Sequence, residues 1–280
     1  MIKPLIPYAA TLIKHQKTKT MVIADLHIGW EIALLHKGIH VPTQTERLFR
    51  KLLDLIHKYE PHKVLILGDT KHTVASAKMS EWKDVPEFLK KLKKQVKVEL
   101  IRGNHDGSIE PLLPEKVPVH PSTGFVEGDI GLFHGHSWPS PTLLGCKTLV
   151  MGHVHPVITF KDPAGFRMTR QVWVKSKCDG IRLAEKLLKK HKKKVQNSIV
   201  ETLEKKYGVE PKVTQLIIMP AFNELLGGKP LNTGKESRKR NRIKIVGPVL
   251  RSKALKIDKA EIRLLDGTLL GSLDQLRTLS

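Results

Sequence analysis

Five short clusters in this 280-residue chain supply seven side chains that together could bind divalent cations. The clusters are Asp25-Leu26-His27, Gly68-Asp69, Gly103-Asn104-His105-Asp106, Gly135-His136 and Gly152-His153-Val154-His155. Carboxylate and amide oxygens mixed with imidazole nitrogens suit Mn, Fe, Co, Ni or Zn, whereas an all-oxygen set would suit Mg or Ca. Asp25, His27, Asp69, Asn104, His136, His153 and His155 are too many ligands for one tetrahedral ion. They suffice for two ions if one carboxylate bridges, and the central Asp69 is the natural bridge. Two ions about 4 Å apart can clamp the attacking and leaving oxygens of a phosphoryl group and deprotonate a water between them. The i, i+2 spacing of Asp25/His27 and of His153/His155, read as extended chain, would turn each pair to one side. A histidine alone is more often a core or surface residue than a ligand. The argument rests on the grouping. His134, two residues before His136, is a rival for the same position.

These clusters need a scaffold that brings them together. Met21–Ala24, Val64–Leu67 and Val98–Ile101 read as buried strands, each a short apolar run, and Ile130–Phe133 and Leu149–Met151 read as two more. Each cluster stands at or just past the C-terminal end of one of the five. A helix is expected from Thr43, with Thr43 and Glu46 as a capping box and Leu48, Leu52, Leu55, Ile56 and Tyr59 on its apolar face, ending before Pro61. Another is expected from Asp84, with Val85, Phe88, Leu89 and Leu92 inward. The β-α-β-α-β order implies a parallel sheet in an α/β protein, whose crevice lies beyond the strand ends at one sheet edge. Further along, a single amphipathic helix is expected over Ile181–Tyr207, with Ile181, Ala184, Leu188, Val195, Ile199 and Leu203 as its stripe and Gly208 as its cap. Strands are expected at Gln215–Met219, Ile243–Val246 and Glu261–Leu265. The chain reads as one domain over 1–280: a motif-bearing core (1–178), a basic helical segment (179–212) and strands completing a second sheet (213–280).

The ordered set D-x-H, G-D, G-N-H-D, G-H, G-H-x-H resembles the calcineurin-like metallophosphoesterase superfamily. That resemblance implies a four-layer αββα sandwich of two mixed β-sheets flanked by helices. It assigns Asp25, His27, Asp69 and His155 to one metal and Asp69, Asn104, His136 and His153 to the other. His105 would then protonate the leaving oxygen, with Asp106 orienting it. The family favours the histidine after glycine, His136, over His134. A narrower resemblance spans nearly the whole chain. Ala24-Asp-Leu-His-Ile-Gly29, Gly38-Ile-His-Val-Pro42, Gly152-His-Val-His-Pro156 and Met219-Pro-Ala-Phe-Asn-Glu-Leu-Leu-Gly-Gly228 are similar to SbcD-related, DNA-ligase-associated phosphoesterases of archaea and bacteria. It implies a DNA nuclease that uses a metal-bridged hydroxide as nucleophile, with manganese the first choice of metal and a repair helicase or ligase as a partner.

Around the core set, Lys71, His72, Arg102 and Asn223 are candidate substrate contacts, each with a solvated or structural reading beside it. The formal charge of +22 is uneven: residues 1–174 hold 24 basic and 16 acidic side chains, residues 175–280 hold 25 and 11. A polyanion such as nucleic acid is the natural partner for such an excess, although a lysine- and glutamate-rich surface is also what heat adaptation produces. Lys189, Lys190, Lys192, Lys193 and Lys194 form one candidate phosphate track, and Arg238, Lys239, Arg240 and Arg242 another. All four Trp precede these runs, which argues for backbone contact without base stacking. Two cysteines at no ligand spacing exclude a disulfide framework. No apolar run reaches the roughly 20 residues of a membrane span and no signal peptide is evident, so a cytoplasmic location is expected. Two rival functions remain: a small-molecule phosphodiesterase or phosphatase, which would share every ligand, and a nucleic-acid-binding protein with a vestigial site.

Overall fold

Short aliphatic runs separated by polar, glycine-bearing turns build two mixed β-sheets with flanking helices, each sheet in its own unit of the chain. The computed structural model describes residues 1–280 except 75–78, 163, 196, 233–246 and 279–280. The expected strand Ile243–Val246 and the cluster Arg238, Lys239, Arg240 and Arg242 therefore lie outside the described residues. Among the described residues, no helix is long and apolar enough to cross a membrane.

The first unit comprises Met1–Ser122 and Ala221–Leu226. Its strands are β1 (Ile2–Pro4), β2 (Ala10–His15), β3 (Thr18–Ile23), β4 (Lys63–Leu67), β5 (Lys97–Ile101) and β6 (Val119–His120), hydrogen-bonded in that order. β1, β2 and β3 run antiparallel, and β3 to β6 are parallel. The helices are α1 (Trp30–Leu35), α2 (Thr45–Tyr59) and α3 (Met79–Lys93). The expected run of three parallel strands with helical crossovers is thus present, and an N-terminal hairpin that periodicity did not reveal extends it.

α2 buries Leu48, Leu52, Leu55 and Ile56 as expected, and Val85, Phe88, Leu89 and Leu92 of α3 join the same core. Neither helix begins where the sequence pattern placed it. α2 starts at Thr45 after Gln44, and no side-chain cap forms. The Thr43 hydroxyl is drawn to Glu31 Oε1 (2.9 Å), and Glu46 pairs with Arg50 and Lys91. Tertiary partners outcompete the local box. α3 reaches back to Met79, so that Glu81 in its first turn is available to the loop before it.

The second unit comprises Thr123–Pro220 and Gly227–Ser280. Its strands are β7 (Phe125–Glu127), β8 (Ile130–Leu132), β9 (Thr148–Met151), β10 (Val157–Lys161), β11 (Arg167–Lys177), β12 (Gln215–Ile218), β13 (Glu261–Leu264) and β14 (Leu269–Ser272). The order is β14-β13-β11-β12-β9-β8-β7, with β10 paired to β11. β8, β9 and β12 are mutually parallel neighbours and the remaining pairs are antiparallel. Among the described residues, the α-helices of this unit are α4 (Gly180–Lys190), α5 (Ile199–Tyr207), α6 (Pro248–Arg251) and α7 (Leu273–Thr278).

Two expectations change here. β8 and β9 belong to this second sheet, so the five clusters do not share one sheet edge: three follow strands of the first sheet and two follow strands of the second. The single helix over 181–207 is two helices. α4 is capped by Asp179, which accepts from Arg182 N (2.9 Å), and α5 by Ser198, which accepts from Glu201 N (3.1 Å). The buried stripe of α4 is Leu183, Ala184, Leu187 and Leu188, while Ile181 and Val195 are 43% and 47% exposed. Ser198-Ile-Val-Glu201 is itself a capping-box pattern, the signal in the sequence that marks the break. Gly208 caps α5 in the left-handed region (φ 65°), as expected.

Candidate metal centre

In the first unit, the loops after β3 and β4 continue to pair beyond their strands. Asp25 N donates to Gly68 O (3.1 Å), His27 N to Asp69 O (2.9 Å) and Ile28 N to Thr70 O (2.9 Å). The backbone there is not extended. Asp25, His27 and Asp69 have φ of 58°, 46° and 54°, and in the second unit His153 and His155 have φ of 69° and 46°. The left-handed region costs a non-glycine residue roughly 1–2 kcal/mol, and such strain concentrates at functional sites. Five of the seven ligand candidates occupy it. The i, i+2 argument from extended chain therefore fails: these pairs are set by paired left-handed residues in post-strand loops.

The third loop closes on the second. Asp69 Oδ1 accepts from His105 N (2.8 Å), and Asp69 Oδ2 lies 3.4 Å from His27 Nε2. A Cβ on Gly103 would stand 2.1 Å from Asp69 Oδ1 and 2.2 Å from Asp69 N, so only glycine lets this loop approach. Asp106 is fully buried, and its carboxylate takes Thr70 N (2.8 Å), Lys71 N (3.3 Å) and Gly103 N (2.9 Å). It ties two motif loops together. The orientation of His105, expected from Asp106, comes at Nδ1 from the His72 carbonyl. That contact fixes the Nδ1–H tautomer and leaves Nε2 for chemistry.

Lys71 is fully buried, and its ammonium donates to the carbonyls of Thr73 and His105 (2.6 Å for the latter). Burial pushes its pKa down, against the opposing charges of Glu81, Asp106 and Asp69. The expected substrate contact is thus replaced by a loop clamp. His72 fares differently. Its Nδ1 lies 3.3 Å from His27 Nδ1, its ring stacks on that of His105 at 5.6 Å, and His27, His72 and His105 present ring nitrogens within 4.8 Å of one another. Arg102 pairs with Glu110, as the structural reading of this residue has it.

Two further residues hold these loops. Asn223, buried, donates from Nδ2 to the Leu26 carbonyl (3.0 Å), between the two candidate ligands of the first cluster. The structural reading of Asn223 is the one seen here, a turn that grips the motif loop. Glu81 accepts from His72 N (3.0 Å) and Thr73 N (2.7 Å) through Oε1. Nothing in the sequence marks Glu81, because its partners lie in another loop. Asn223 is flagged only by the family-like segment around it.

In the second unit, His134, His136 and His153 form a ring cluster. His134 lies 4.9 Å from His153 and 5.3 Å from His136 between centroids, and His136 lies 6.0 Å from His153. His134 is fully buried and offers a ring nitrogen within 4.8 Å of one on His153. Geometry therefore favours His134 over His136 as the partner of His153. Gly135 between them has φ 122° and faces Met151, where a Cβ would meet Met151 Cε at 2.4 Å. Taken as chemistry, the aspartates and histidines of the two units fit mid-series divalent cations.

A family model for calcineurin-like phosphoesterases matches residues 18–217. No curated protein matches the chain. Among solved structures, the nuclease MPE of Pseudomonas putida is 21% identical, with 92% of this chain and 97% of that chain covered at a TM-score of 0.47. Yfce, a phosphoesterase from E. coli, is 22% identical over 51% of this chain and 73% of its own, at a TM-score of 0.34. The family match spans well over half of the sequence and contains all five clusters, and this chain accordingly belongs to the calcineurin-like phosphoesterase family, as a metal-dependent phosphoester hydrolase.

Proposed function

We propose that the chain is a phosphodiesterase acting on DNA, a nuclease of repair or processing in the cytoplasm, with two divalent ions as cofactors and manganese the preferred metal. The proposed ligands are those of the family pattern, Asp25, His27, Asp69, Asn104, His153 and His155, with His134 in the role first given to His136. When bound, the ions would polarise the phosphoryl oxygens and activate water. The chain's own acid is His105. With its Nδ1–H engaged by the His72 carbonyl, the protonated ring donates from Nε2 to the leaving oxygen. His72, stacked beside it, is the second imidazole available to the phosphate.

The observation that carries the polymer reading is the charge. The sequence is +22, and Lys189, Lys190, Lys192, Lys193 and Lys194 are all exposed. They occupy the last turn of α4 and the loop after it. A small ester has no use for such a track, whereas a phosphate backbone releases counterions along it. A helicase or ligase of the same repair step is the proposed protein partner.

The test is hydrolysis with added manganese of single- and double-stranded DNA, a generic phosphodiester and a phosphomonoester, each at two salt concentrations. DNA cleavage that falls with salt, and whose salt dependence flattens when the five lysines are neutralised, supports the nuclease. Turnover of the small esters with DNA left intact assigns the enzyme to small substrates.

A further inference from the structure

The second unit carries a two-stranded ribbon that leaves its sheet. β11 pairs with β13 from Val172 and with β12 from Val174, whereas among the described residues the ladder of its first residues, Arg167–Gln171, is with β10. The outer edge of β10 is closed at Thr159 by the Asn232 side chain, which both donates to and accepts from its backbone (2.8 and 3.0 Å). Beyond that point the ribbon is free among the described residues.

Its surface is unusual in composition. Phe160 lies directly opposite Met168, so both side chains share a face, with Arg170 two residues along on the same side. Lys161 and Arg167 pair on the other face. Phe166 stands at the turn. Phe166, Met168 and Phe160 are 77%, 51% and 38% exposed. Three large apolar side chains in water on one short element mark an interaction surface. The partner's charge is indicated too. Three cations flank the apolar residues, and the one acid, Asp162, spends its carboxylate on Phe166 N (2.8 Å) to shape the turn.

We propose that this ribbon binds single-stranded DNA, with Phe160, Phe166 and Met168 packing on unpaired bases and Lys161, Arg167 and Arg170 on phosphates. Exposed aromatic side chains with cations close by, Arg170 on their own face and Lys161 and Arg167 on the other face of the ribbon, provide for base stacking with backbone neutralisation. The aromatic partners missing beside the lysine runs are supplied here. The inference deepens the nuclease reading and rests on it for the choice of polymer.

Binding is measured by fluorescence polarisation of a labelled oligothymidine and a blunt duplex, with the full chain in chelator so that nothing is cleaved. Phe160→Ala with Phe166→Ala weakens oligothymidine binding at least about tenfold and leaves the duplex nearly unchanged. Phe166→Trp retains binding. Lys161→Gln, Arg167→Gln and Arg170→Gln together reduce the slope of log affinity against log salt by about 2. Hydrolysis of a small phosphodiester stays at the wild-type rate in all of them, which shows that they fold. Oligothymidine affinity unchanged in both the phenylalanine and the charge variants overturns the proposal. So does a change in oligomeric state alone, which would make the ribbon a contact between copies of the chain. If the wild type binds oligothymidine through the ribbon but cleaves no DNA, the ribbon stands and the nuclease reading falls.

Discussion

The two units hold their candidate ligands by different means. In the first, Asp25, His27 and Asp69 lie in loops cross-tied by backbone pairing, by the triple acceptor Asp106, by the buried Lys71 ammonium and by Asn223 on the Leu26 carbonyl. In the second, the rings of His134, His136 and His153 pack around a glycine, and Gly152 N donates to the His134 carbonyl (3.0 Å). A lattice of hydrogen bonds fixes geometry before any ion arrives. The first unit should therefore keep its loop structure without metal.

The largest expected effect separates binding from proton transfer within the first unit. Asp69→Ala should lower hydrolysis by at least about a thousandfold and strip metal as well, since it removes the proposed bridging carboxylate. His105→Ala should lower turnover by about a hundredfold or more while metal content, read by elemental analysis, stays near wild type. Wild-type turnover in His105→Ala would remove it as the acid.

Gly103→Ala attacks the lattice itself. A methyl group 2.1 Å from Asp69 Oδ1 has no room. The loop must move, with a loss of roughly 2 kcal/mol or more in stability and of most metal affinity. Thermal melting with and without manganese measures both. A variant with wild-type melting and metal content would show the lattice to be looser than described.

In the second unit, His134→Ala should reduce metal content more than His136→Ala, by about tenfold in affinity if only the former is a ligand. The reverse order would restore His136, the residue that the family pattern prefers.

The smallest effect concerns the first sheet, away from the loops. Glu99 is buried, which raises its pKa, but bonds from Lys97 and His120 and the charge of Lys63 outweigh burial and bring it down to about 2. A depressed carboxylate contributes stability that is present above its unfolded pKa, near 4.3, and is lost as pH falls toward 2. Glu99→Gln should therefore lower stability by on the order of 2 kcal/mol at neutral pH, with the difference shrinking below about pH 4. Denaturant titration across pH reads it.

Much of this was legible from residue types alone. Apolar runs locate β3, β4, β5, β8 and β9, because a buried strand needs little more than aliphatic residues between turns. The clusters at their ends follow from the chemistry of carboxylates and imidazoles. Local signals erred where a distant partner competed. Thr43 went to Glu31 instead of capping α2, and the role that the family resemblance gave Asp106 gave way too, its carboxylate taking backbone amides while a carbonyl took His105. The Ile181–Tyr207 stripe erred for another reason. A 3.6-residue period can be drawn through two helices if their break is overlooked.

The sequence by itself determined which donors are present, in what order, and that strands precede them, since those depend on side-chain chemistry and on neighbours a few residues apart. Tertiary structure alone decided how the donors are aimed. The left-handed backbone at Asp25, His27, Asp69, His153 and His155 persists because surrounding contacts over-determine it, and no local preference would select it. The grip of Asn223 on Leu26 joins residues 197 apart in the chain. The exposed face of the β10–β11 ribbon likewise exists only because neighbouring strands stop short of it. Burial and long-range hydrogen bonding are properties of the folded chain, and a pattern of neighbours cannot contain them.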